Sequence, residues 1–201
     1  MLPRSLRLAT FALLAAAGGT AFAHTGVDGG SHHGAFLQGL LHPWTGLDHL
    51  AAMLAVGVWS ALVLGRPQVW QAPLAFVAML VVGALAGFAG VEPPLVEPMI
   101  AASLLVLGLF VTVRQRLPLT AMLMVVGGFA LFHGVAHGVE LARGESIAAL
   151  AALAGMVLST AALHLAGVGL GHALLARHRW QQALGGGVAL FGGYSLLQLV
   201  A

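Results

Sequence analysis

The chain has 201 residues, of which 60% are hydrophobic and only 7% charged, with a formal net charge of +2. Against the roughly 25% charged content of soluble domains, and with a mean hydropathy of +0.98, this composition describes an all-α, polytopic membrane protein. The basic residues are all arginines, set in ones and twos that cannot track a phosphate backbone, so nucleic acid is excluded as a partner. Cysteine is absent, which excludes disulfides, thiolate metal sites, iron–sulfur clusters and cysteine nucleophiles.

Residues 1–23 combine Arg4 and Arg7, a short apolar run and the small-x-small ending Ala21-Phe22-Ala23, the pattern of a cleaved signal peptide. Cleavage there would make His24 the N-terminus. Residues 24–36, which include His32 and His33, have nothing to bury and read as a mobile tail outside the membrane. Residues 37–201 then read as one domain of six transmembrane helices, near 40–64, 71–90, 95–113, 118–141, 146–175 and 182–200. The fifth is long enough to tilt or protrude.

Loops on the cytoplasmic side of a membrane carry the excess of arginine and lysine. With the tail outside, the inner loops hold Arg66, Arg114, Arg116, Arg177 and Arg179, and the outer loops hold only Arg143, beside Glu92, Glu97 and Glu145. Both termini are therefore expected outside, on the face of the membrane away from the cytoplasm. Glycine pairs four apart, Gly83 with Gly87, Gly134 with Gly138 and Gly167 with Gly171, mark helix faces that pack closely. The three spans before residue 115 and the three after it would be inverted relative to each other, although no residues match between the halves.

Ionisable groups inside a span cost about 2.5–3.5 kcal/mol each when charged, yet here they cluster. In the first span, His42 and His49 lie two turns apart on one expected face, Met53 one turn further, and Asp48 close enough to ligate or to orient a ring. Pro43 suits a first helical turn, where a missing N–H leaves nothing unsatisfied. In the fourth span, FHGVAHGVE sets His133, His137 and Glu140 on one stripe, with Gly134 and Gly138 leaving room for a partner helix or a hydrated ion. Imidazole and carboxylate suit nickel, cobalt and zinc. Both clusters fall in the outer half of the membrane, so they can converge. His164 and His172 in the fifth span continue the polar groups inward, although an isolated histidine of this kind is ordinarily explained by an interhelical hydrogen bond.

Two motifs, HPWTGLDH and FHGVAHGVE, resemble the H-x5-D-H and FHGxAHGxE signatures of the HupE/UreJ family of nickel permeases. The resemblance extends to the signal peptide, the histidine at the mature N-terminus and the six spans. It implies uptake of Ni2+ across the bacterial inner membrane for hydrogenase or urease maturation, with His42, Asp48, His49, His133, His137 and Glu140 as transport residues. Some relatives resemble cobalt transporters, so Co2+ is the alternative cargo. His24, His32, His33 and His164 belong to neither motif and are expected as an accessory path, the tail capturing ions and His164 passing them inward. No GxxxxGK[ST] occurs, so ATP is not expected. A haem-binding electron carrier is the rival class, disfavoured by Asp48 and Glu140 among the histidines. An intramembrane zinc hydrolase is disfavoured because no HExxH occurs, and no enzymatic activity is expected.

Overall fold

The computed structural model describes residues 32–144 and 146–201, so the expected signal peptide and His24 lie outside the described residues. The helices are α1 (His32–Thr45), α2 (Leu47–Val63), α3 (Gln71–Phe88, after a 3-10 turn at Gln68–Trp70), α4 (Val96–Val113), α5 (Leu119–Leu141), α6 (Ser146–Leu174) and α7 (His178–Gln198). No strand occurs among the described residues. The α3 segment, α4, α5 and α6 are each long and apolar enough to cross a membrane, and α1 with α2 makes a fifth if the bent pair counts as one span. The stretch expected as a sixth span is helical as α7, but its polar opening, HRWQQ, and its glycines leave it outside that group.

The first expected span is broken. Instead of one helix over 40–64, α1 and α2 meet at a 76° bend, and α1 begins at His32, within the segment read as a tail. Pro43 lies near the end of α1 rather than in a first turn. There it supplies no N–H to the Gly39 carbonyl and its ring crowds that carbonyl, which weakens the last turns of the helix, and α1 stops two residues later. Gly46 follows with extended backbone (φ −86°, ψ 111°) and starts α2. The Thr45 hydroxyl donates to the His42 carbonyl at 2.9 Å, capping the interrupted end.

Glycine decides how the helices pair. Side chains on Gly83 or Gly87 of α3 would run into the α5 backbone, and ones on Gly134 or Gly138 of α5 into the α3 backbone. These two helices therefore touch main chain to main chain, the arrangement small residues permit in membranes. Gly57 and Gly167 bring α2 onto α6 in the same way, Gly39 and Gly155 bring α1 onto α6, and Gly108 with Gly185 brings α4 onto α7. Trp59, Phe76, Met53, Leu80, Leu104 and Met122 fill the space between the pairs. Leu74, Met124 and Leu190 are as apolar as this core but lie exposed outside it, as expected of side chains facing lipid.

The chain direction alternates, so Arg66, Arg114 and Arg177 fall at one end of the bundle and Glu92, Glu97 and Glu140 at the other. At the arginine end a buried Gln181 on α7 donates to the carbonyls of Val111 and Thr112 at the end of α4. Its Oε1 accepts from Arg114 Nε at 2.7 Å, and Arg114 also reaches the Leu175 carbonyl at 2.8 Å. Helix ends leave carbonyls without intrahelical partners, and this network satisfies them while fixing α4, α6 and α7 together.

Candidate metal centre

The break between α1 and α2 and the last turns of α5 meet at the acidic end. His42 closes α1, Asp48 and His49 open α2, and His133, His137 and Glu140 follow one another along α5. The two motifs, over eighty residues apart in sequence, are thus brought together. His42 and His49 do not share a helix face, because the bend separates them, but the bend turns their rings to a centroid separation of 5.8 Å. His137 lies 5.0 Å from His42 and 4.6 Å from His49, and His133 lies 5.1 Å from His49. One ligand atom from each of His42, His137 and Glu140 falls within 4.8 Å of the others. An ion that bonds nitrogen and oxygen at about 2.0–2.2 Å bridges atoms up to about 4.2 Å apart. At most a small inward movement of side chains separates this group from a coordination shell.

The protons of two rings are pinned. Asp48 Oδ1 accepts the backbone N–H of His49 at 2.9 Å and its Nδ1–H at 3.0 Å. His49 Nε2 is then a bare lone pair, buried and without a hydrogen-bond partner. On α4 the Ser103 hydroxyl donates to the Ile100 carbonyl at 2.6 Å, which leaves its oxygen to accept from His133 Nε2–H at 3.1 Å. His133 Nδ1 is likewise buried and unpartnered. A ring nitrogen held by a carboxylate, hydroxyl or carbonyl while the other is left bare is the arrangement that prepares histidine for metal. Gly46 makes room for it, since a Cβ there would stand 3.0 Å from Asp48 Oδ1 and 3.2 Å from His49 Nδ1.

A cavity of about 400 Å³ opens over these groups, lined by His42, Asp48, His49, His137 and Glu140 and also by Glu92, Glu97 and Arg143. His133 lies beneath it, fully buried. The two additional acids were read in the sequence only as outer-loop charge. Glu97 in the first turn of α4 follows Pro93 and Pro94, and nothing in a lone loop acid signals that it faces the histidines. Ser103 does carry a signal, as a hydroxyl in the apolar middle of α4.

The remaining sequence candidates are dispersed. His164 of α6 is buried deeper, and the predicted interhelical bond is not made: its Nδ1–H donates within its own helix to the Thr160 carbonyl at 2.8 Å. Phe76 stands between, its ring 5.8 Å from His133 and 5.0 Å from His164. His172 is exposed at the arginine end, on a groove shared with Arg66 and Trp70, and does not continue the buried line. His33 is exposed on the first turn of α1. Met53 and Met122 are core residues, whereas Met124 points outward.

Comparison with known proteins agrees with the motifs. No solved structure matches the chain. It is 39% identical to Protein HupE of Rhizobium leguminosarum bv. viciae over 179 residues, 88% of this chain and 90% of that protein. The HupE / UreJ protein family matches residues 11–196. With both signatures intact and nearly the whole chain covered, the protein belongs to the HupE/UreJ family.

Proposed function

We propose that the chain is an inner-membrane permease for a divalent transition ion, Ni2+ in the first place, supplying hydrogenase or urease maturation. In this reading His42, His49, His133, His137 and Glu140 hold the ion at the periplasmic mouth, and Asp48 orients His49. One observation carries it: four imidazoles and a carboxylate, from three helices, converge at the end of an apolar bundle with two ring nitrogens bare. Groups so costly to bury in a membrane are placed where they serve a polar cargo. The donor set suits nickel and cobalt alike, and the family resemblance favours nickel over Co2+. Glu92 and Glu97 at the rim attract cations to the mouth, and His24, His32 and His33 add a capture step ahead of it.

The test is equilibrium binding of Ni2+ to the purified full chain in detergent. His137→Ala removes a proposed ligand and should weaken binding by at least about ten- to a hundred-fold, the range for losing a group that only supports a ligand. Equal binding by the two proteins, both inserted and monodisperse, contradicts the site.

A further inference from the structure

Beneath the cluster at the acidic end, α6 buries three polar groups that the proposed mouth does not use. Ser159 Oγ, Thr160 Oγ1 and His164 Nε2 are each enclosed and without a hydrogen-bond partner, and all three residues are at most 1% exposed. Their surroundings are apolar. Phe76 packs on the His164 ring, and Gly57 of α2 lies against the His164 carbonyl. Three orphaned polar atoms within six residues of one membrane helix oppose folding unless something engages them.

The histidine is the informative member. Its Nδ1–H is fixed on the Thr160 carbonyl, which sets the tautomer and leaves Nε2 as a lone pair. His49 and His133 show the same division, one nitrogen held and the other bare. A packing histidine could be replaced by leucine with a gain in stability. One with its second nitrogen held by a backbone carbonyl is ready for a metal ion.

We infer that His164 Nε2 is the nitrogen ligand of a second, inner site for a divalent transition ion, with the hydroxyl of Thr160, one turn away on the same helix face, and water as weaker oxygen donors. The inference rests on the permease reading above. Phe76, in contact with both His133 and His164, separates the two sites, so an ion leaving the mouth passes one phenyl ring to reach the inner nitrogen. Gly57 follows His49 by eight residues on α2, which puts the inner site about 12 Å further along the bundle at about 1.5 Å per residue. A single imidazole with a hydroxyl donor binds more weakly than the histidine-rich mouth, which suits a place of passage.

The absence of cysteine from the chain makes a direct test available. In His164→Cys the new thiol is the sole thiol, and Co2+ binding to it, with release of its proton, gives a thiolate-to-cobalt charge-transfer band in the near ultraviolet. The band is expected in the purified full-length variant titrated with Co2+ and not in the parent chain. Its absence, in a variant whose mouth still gives the parent's cobalt d–d spectrum, overturns the inner site alone. A parent d–d spectrum insensitive to His137→Ala overturns the permease reading and the inner site with it. His164→Leu gives a second readout, in nickel uptake by vesicles. Maximal uptake should fall roughly ten-fold with the half-saturating concentration unchanged and thermal stability maintained or raised. Undiminished uptake overturns the proposal.

Discussion

Asp48 shows most plainly how a single side chain prepares the mouth. Its Oδ1 accepts from both the backbone and the ring of His49, so the carboxylate fixes which imidazole nitrogen is bare. Asp48→Asn keeps the volume but removes the charge. Ni2+ binding should weaken about ten- to a hundred-fold with little change in thermal stability, and isothermal titration in detergent measures it. Sequence spacing made Asp48 a candidate ligand or orienter, and the structure adds the partner that a spacing cannot choose. His133 was legible as a site residue from the i, i+4, i+7 stripe. Its proton partner Ser103, thirty residues away on another helix, was not, because which side chain faces which depends on helix rotation within the bundle.

Among the elements, the α3–α5 pair positions half of the mouth without supplying its chemistry from α3. Gly134 and Gly138 each follow a histidine of α5 and are pressed against the α3 backbone, so the depth of His133 and His137 is set by main-chain contact. Gly134→Val would push α5 away at a cost of about 1–3 kcal/mol. Ni2+ binding should fall although every proposed ligand is retained, with thermal unfolding in detergent reporting the stability loss. The close packing was legible from the glycine spacing. The broken first span was not: hydropathy runs continuously from Leu50 onward, and the bend depends on Pro43 in the last turn of α1 acting together with Gly46, the residue that follows the helix. A seven-residue spacing predicted a shared helix face for His42 and His49. The break instead turns His42 back toward α2, and the same two residues meet by a different route.

Across the whole molecule the helix pairs show an order that residue matching between the halves misses. Counting α1 with α2 as the first rod, the pairs are first with fifth, second with fourth and third with sixth. Exchanging the first three rods with the last three carries the first pair onto the second and the third onto itself, as an inverted repeat requires. The motifs break this symmetry, because both lie at the acidic end. Two scaffolds related by exchange, with chemistry at one end, suit a path that accepts ions on one face of the membrane and releases them on the other. Because ligating imidazoles must be unprotonated, uptake should weaken as the pH outside is lowered, which uptake rates measured from about pH 7.5 down to about 4.5 would show. A flat profile would place the rate-limiting contacts elsewhere.

Uptake itself tests the central claim most directly. Proteoliposomes holding the purified full chain, given radiolabelled Ni2+ outside, should accumulate it over time above protein-free vesicles. Those holding His137→Ala at equal density should fall to the protein-free level. Equal accumulation by the two proteins, or none by the unaltered chain, would contradict a nickel path through the histidine-lined mouth.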